Sequence, residues 1–428
     1  MKKFTYILTF ILLGMNLTAQ SVWDGKREAI TKGSGTETDP YLIENAQNLA
    51  WLVYLINYDY DEWTEGKYFK LTTDIDLNGN ADNQWIPIAA GLSMTGGNKL
   101  FGGTLDGNYH KITGLYIDEN SEINNEKSLW YESEAAFFSC MPENSLIKNL
   151  HIEGYINIDD KECAGFSAMG GNLENCVSNV DIESTICAAG LMVRANSIKN
   201  SVNLGDIKGD LIVGGIAAYC LESIENCYNV GNLTGGELVG GVVGYLIKAS
   251  AIMKNCYNVG NINTSEETEF MGGLVGKTKS DTSIENCYYL EICIESSNEY
   301  GEAETAEFMR SHEFVTLLNN NTNVWQYDAQ NSNNGFPILN NYFPLNINQP
   351  YEEETVLVFP NPTSDYIKIS GDIVSYEIFD ILGKNVVNSR KASGKTESVS
   401  VADFTSGLYF VKCLLEDGKV VTKKIIVK

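Results

Sequence analysis

Basic residues are scarce in this chain of 428 residues. It holds 30 Lys/Arg against 56 Asp/Glu, a formal charge of −26. The deficit is local: residues 356–428 carry 10 basic and 8 acidic side chains, whereas residues 21–355 carry 18 and 48. An acidic body of this kind repels phosphate backbones and anionic lipid, which excludes nucleic acid as a partner. Histidine is scarcer still. His110, His151 and His312 are scattered and never form H-E-x-x-H, so the helical zinc-peptidase signature is missing. Neither G-x-G-x-x-G nor the full G-x-x-x-x-G-K-[ST] occurs among the glycines, which excludes a phosphate-cradling loop. Long apolar runs are lacking too. The run Phe4–Leu13 is too short to span a bilayer, and no other stretch is long enough. With Lys2 and Lys3 before it and Ala19 after it, this run predicts a secretory signal over residues 1–20.

What the chain has is a repeat with a period near 26. One set of segments reads "LIKNLHI", "NLENCVS", "SIKNSVN", "SIENCYN", "IMKNCYN" and "SIENCYY", aligned on Asn149, Asn175, Asn200, Asn226, Asn255 and Asn286. A second set lies between them: "CAGFSAMG", "CAAGLMVR", "VGGIAAY", "VGGVVGY" and "MGGLVGK", aligned on Gly165, Gly190, Gly215, Gly241 and Gly273. Glycines that recur between short apolar runs serve geometry rather than phosphate. About 25 residues per unit leave room only for short strands and turns, so the spacing predicts coils of a parallel β-helix.

The column before the asparagines supports this stacking. Lys148, Glu174, Lys199, Glu225, Lys254 and Glu285 alternate in sign at every coil. In-register coils would place each cation between two anions, at about 0.2–1 kcal/mol per pair. The column after the asparagines holds Cys176, Cys227, Cys256 and Cys287, expected inside as small apolar residues. Side chains of in-register neighbours point the same way, which suits disulfides poorly.

The repeat needs caps. "IENAQNLAWLVYLIN" spaces Leu49, Leu52, Val53 and Ile56 along one helical face, and "TAEFMRSHEFVTLLN" reads as a second short helix. "VWQYDAQNSNNGFPIL" closes the domain, set at residues 21–340, and a polar linker follows at 341–355. Residues 356–428 alternate as a small β-sandwich, with strands at Tyr366–Ile369, Tyr376–Ile381 and Leu408–Leu414. The fold class is therefore all-β: a right-handed parallel β-helix with short capping helices, then a small sandwich.

Two resemblances attach to these segments. The glycine and "NCYNVGN" segments resemble the GLUG-motif repeats of secreted bacterial proteins, a class similar to pectin-lyase-like right-handed β-helices. Immunoglobulin A proteases carry such repeats beside a zinc peptidase, whose motif is absent here. "VFPNPTSDYIKI", "YEIFDILGKNVV", "FTSGLYFVKC" and "KVVTKKIIVK" look like the sorting domain of the type IX secretion system of Bacteroidetes. That resemblance implies the type IX machinery as a partner, with export to the cell surface or beyond.

For chemistry the residues offer little. "DIDLNGNADNQW" begins like a calcium loop, but Trp85 stands where a bidentate glutamate is required. No metal ligand set or cofactor is expected. Tyr228, Tyr257 and Tyr288 follow the inward cysteine column and are expected to face outward, a platform for a glycan or protein ligand. Tyr58, Tyr60, Trp63 and Trp130 add aromatic surface. Arg194, Tyr219, Tyr245 and Lys277 each lie four residues after a coil glycine, and turn geometry alone accounts for the shared position. The expected function is non-catalytic binding or adhesion outside the cell. The alternative is a polysaccharide lyase with Arg194 as its base, or a glycoside hydrolase with paired carboxylates.

Overall fold

A computed structural model describes residues 20–59, 64–90, 100–118, 134–263, 268–279, 282–294, 297–340 and most of 356–427. The expected signal segment up to residue 19, Tyr60, Trp63, Trp130 and the linker lie outside the described residues. The chain divides into two compact units, Met1–Pro344 and Leu345–Lys428.

The first unit is a right-handed parallel β-helix. Its stack starts earlier than the sequence repeat. Phe69 pairs Leu105, Leu105 pairs Ile147, and the column continues through Leu173, Ile198, Ile224 and Met253 to Ile284. The neighbouring charged column runs in the same register from Lys70 through Asp106, Lys148, Glu174, Lys199, Glu225 and Lys254 to Glu285. Its sign alternates at each of eight positions. Nitrogen and oxygen close to 3.9 Å at Lys148–Asp106 and 3.1 Å at Lys254–Glu285.

Each repeated asparagine sits in the left-handed region, with φ between 50° and 55°. Asparagine tolerates that region because its short polar side chain bonds locally. Here the bonds run between coils instead. Asn175, Asn200, Asn226, Asn255 and Asn286 each donate Nδ2 to Oδ1 of the preceding asparagine at 2.7–3.2 Å. Asn149 ends the ladder by donating to Asp106 Oδ1 at 2.9 Å. The cysteine column lies buried inside, and all ten cysteines are free thiols.

The glycines have a second, interior reason. Ser178, Asn203, Asn229 and Asn258 are fully buried, and they face Gly165, Gly190, Gly215 and Gly241. A β-carbon on Gly190 would stand 2.3 Å from the Asn203 side chain and 2.2 Å from the carbonyl of Gly215 on the next coil. Asn203 donates to Gly205 O and Asn229 Oδ1, and Asn229 donates to Gly231 O and Asn258 Oδ1, all at 2.8 Å. Asn229 and Asn258 both donate and accept, which offsets the cost of burying them, whereas Oδ1 of Asn203 at the start of the row has no partner among the described residues.

Helix α1, Ala46–Tyr54, caps the first coils, with Asn45 as its N-cap accepting from the Asn48 amide. Leu49, Leu52, Val53 and Ile56 are buried along one face, as their spacing requires. The expected second helix is two, α2 (Ala306–Met309) and α3 (His312–Asn319), because Ser311 caps a new helix where the first ends. A two-stranded ribbon then pairs Trp325 with Leu339 and Gln326 with Ile338.

The second unit is a β-sandwich. One antiparallel sheet holds Val356–Phe359, Tyr366–Gly371 and Thr396–Ser400, and the other holds Ile373–Asp380, Asn385–Lys391, Gly407–Leu415 and Val420–Val427. Ile367, Ile369, Ile378, Val411 and Ile425 fill its core.

Candidate binding face

The tyrosine column does not form the expected platform. Tyr228, Tyr257 and Tyr288 pair in register and alternate with the inward Asn229 and Asn258, so they leave the coils on the outer side. There they are covered. Tyr228 and Tyr257 have no exposed surface, and Tyr288 keeps 5%. Trp325 lies 5.7 Å and 5.5 Å from the rings of Tyr228 and Tyr257, and Phe314 of α3 packs edge-on against Tyr257 and Tyr288. Tyr257 Oη donates to Pro337 O and accepts from Asn333 Nδ2. Residues 306–340 thus form a strap over these rings. The apolar area of three stacked tyrosines stabilises far more when buried than when left as surface.

The other four aligned residues behave differently. Register places Arg194 beside Tyr219, Tyr219 beside Tyr245 and Tyr245 beside Lys277 on four consecutive coils. Steps of about 4.8 Å make this line about 15 Å long. All four side chains are half-buried. The Arg194 guanidinium lies 4.9 Å from the Tyr219 ring centroid, and the two tyrosine rings stand 6.4 Å apart. Lys277 Nζ lies 5.8 Å from the Tyr245 centroid and 4.0 Å from that of Phe270. A cation over an aromatic face contributes about 0.5–2 kcal/mol, depending on its desolvation.

A satellite core supports the line from beneath, with Ala164, Ala168, Ala189, Val193, Ala218 and Ile212 buried together. Small residues there let two sheet faces meet closely. Glu162 holds Arg194 through both oxygens: Nε is 3.0 Å from Oε2, and Nη2 reaches Oε1. The Glu134 carboxylate accepts from the Glu162 amide. Burial raises the pKa of Glu134, against the hydrogen bond from the Glu162 amide, which lowers it. Desolvation, reinforced by the Cys187 thiol, pushes the Tyr219 phenol up to about 12. Glu162, through its hydrogen bond, raises the pKa of Arg194 above its ordinary value. Arg194 therefore remains a cation at every physiological pH and is unsuited to accept a proton.

Two members of this site, Glu162 and Glu134, escape the sequence reading. Glu162 sits 32 residues before Arg194, directly before the first glycine segment. Its signal is that position, at the mouth of a coil turn, rather than any motif. Among the described residues no group of three or more His, Cys, Asp or Glu side chains gathers as a metal site.

Three comparisons with known proteins bear on this chain. Residues 357–428 match the family described as "Secretion system C-terminal sorting domain", the type IX sorting tail. That tail marks a protein exported through the type IX machinery to the cell surface or beyond. A "Putative Gly-rich membrane protein" of Evansella cellulosilytica is 30% identical over 186 residues, 42% of this chain; the match spans 19% of that protein's length. A crystal structure from Bacteroides ovatus, described as a "putative immunoglobulin A1 protease", superposes with a TM-score of 0.47 at 22% identity, over 73% of this chain and 95% of that one.

Proposed function

We propose that this exported protein is a non-catalytic binding or adhesive module, and that its ligand, a glycan or an extended protein segment, lies along Arg194, Tyr219, Tyr245 and Lys277. The repeats are read as GLUG-type coils serving as a scaffold for that line. The observation that carries the proposal is the line itself. Two half-exposed aromatic faces lie between two cations, fixed by strand register on rigid coils. Such a row offers flat apolar contact with polar ends and loses little entropy on binding. The bidentate hold of Glu162 on Arg194 supports binding over chemistry, because a lyase base has to give up its proton and this one is held protonated.

The test is a glycan and matrix-protein array with the intact protein, followed by Tyr219→Ala and Tyr245→Ala. Each truncation is expected to weaken binding about tenfold, or about 1.4 kcal/mol. Turnover of an acidic polysaccharide, abolished by Arg194→Ala, would overturn this reading in favour of a polysaccharide-acting enzyme. Binding that survives both tyrosine truncations would displace the ligand from this line.

A further inference from the structure

A separate hollow opens at the amino-terminal end of the coils, lined by Trp23, Arg27, Tyr54, Tyr58, Trp85 and Ile86. Its volume is about 160 Å³. That is below the range of drug-sized pockets, about 300–1,000 Å³, and fits one small ring rather than a chain. Four aromatic side chains from three separate segments meet here. Trp23 packs edge-on to Trp85 at 6.2 Å, and Tyr58 stacks on Tyr54 at 5.3 Å. Tyr54 and Tyr58 are among the most exposed large apolar side chains in the unit, at 37% and 36%.

The backbone is shaped to present them. Helix α1 passes into a π-helical turn, Leu55–Asp59, which carries Tyr58. Such turns are rare and gather at functional sites. This one is locked from below: buried Asn57 donates to Pro87 O at 2.9 Å and accepts from the Ala90 amide at 3.1 Å.

The polar wall is Arg27. Its guanidinium carbon lies over the Tyr54 ring, 4.4 Å from the centroid. A contact with the ring face uses none of the guanidinium N–H donors, and two of them can grip a carboxylate together. Arg27 forms no ion pair among the described residues, although acidic side chains outnumber basic ones 48 to 18 over residues 21–355. Its near neighbours are engaged elsewhere. Asp24 takes Lys26 and Gln47, each at 2.9 Å, and Glu28 takes Asn45 at 3.1 Å.

We propose that this hollow binds a single sugar ring bearing a carboxylate, with the ring against the aromatic walls and the acid on Arg27. The site shares no residue with the Arg194–Lys277 line, so the two readings stand or fall separately.

The test uses the intact protein with D-glucuronate, D-glucose as its uncharged counterpart and acetate as the acid alone, by calorimetry and ligand-observed NMR. Glucuronate is expected to bind in the millimolar range, at least tenfold tighter than glucose or acetate. Arg27→Gln should erase the preference for glucuronate over glucose, and Arg27→Lys should restore part of it. Tyr58→Ala should weaken both sugars at least fivefold, with an unchanged melting temperature because Tyr58 is exposed. Tyr219→Ala should change none of these values. Equal affinity for glucuronate and glucose, equal affinity for glucuronate and acetate, absence of binding, or a preference that survives Arg27→Gln would each overturn the proposal.

Discussion

Gly215 and Asn229 face each other across the inside of one coil. A β-carbon on the glycine would stand 2.4 Å from the asparagine Cγ and 2.2 Å from the carbonyl of Gly241 on the next coil. One obstacle is a buried, fully bonded amide and the other is backbone, so neither can yield cheaply. Gly215→Ala is therefore expected to destabilise the helical unit by about 3 kcal/mol or more, seen as a lower melting temperature. An unchanged melting temperature would mean that the coil interior is looser than described.

The charged column gives a smaller and salt-dependent effect. Glu225 stands between Lys199 and Lys254. Glu225→Lys makes three cations adjacent and should cost about 0.5–2 kcal/mol at low salt. The loss should shrink in 1 M sodium chloride, where the screening length falls to about 3 Å. A loss independent of salt would point to packing rather than charge.

His151 supplies a pH dependence. It is buried with 1% exposure, and burial, aided by Lys111, lowers its pKa from 6.5 to about 3. Glu153 stands 3.2 Å from Nε2, but Lys111 Nζ occupies the same carboxylate at 3.1 Å and offsets its pull. The folded protein thus binds this proton later than the unfolded chain does. The stability contributed by neutral His151 is complete above pH 6.5, declines as the pH falls through that value, and is lost by about pH 3. By pH 5 the decline is about 2 kcal/mol. His151→Gln should remove that share of the difference between pH 7 and pH 5 melting curves. A parent and variant with parallel curves would show that His151 binds its proton equally well in the folded and unfolded chain.

The strap can be tested at its centre. Trp325 is 1% exposed and contacts the rings of Tyr228 and Tyr257. Trp325→Ala should cost about 3–5 kcal/mol and expose both tyrosines to solvent, measurable by tyrosine nitration and peptide mapping. Retained protection of Tyr228 and Tyr257 would mean that α3 and residues 333–337 suffice.

How much of this was legible in the sequence follows from what a repeat is. A translation of about one coil carries each residue onto its equivalent, so Asn149 to Asn286 and Lys148 to Glu285 announce the register directly. The coils before them do not, because Phe69 and Leu105 stand outside the "N-C-Y" wording while obeying the same stacking. The facing of glycine and asparagine was also hidden, since the partners lie about 13 to 17 residues apart on opposite walls. The tyrosines were placed on the correct side but wrongly left open. The strap that covers them belongs to no repeat and docks by tertiary packing alone. Arg194 to Lys277 could be aligned by eye, yet the clasp of Glu162 on Arg194 required a structure. The amino-terminal hollow is less legible still, because Trp23, Tyr54 and Trp85 come from three unrelated segments.

The asparagine ladder has a direction. Every amide hands its proton toward the beginning of the chain, from Asn286 down to Asn149, and the series ends on the anion of Asp106. Dipoles aligned head to tail polarise one another, so each link strengthens the next. The corner is in effect a polarised wire grounded at a single carboxylate. Neutralising Asp106 would be felt at coils it never touches, and in that respect the stack behaves as one object rather than a string of separate turns.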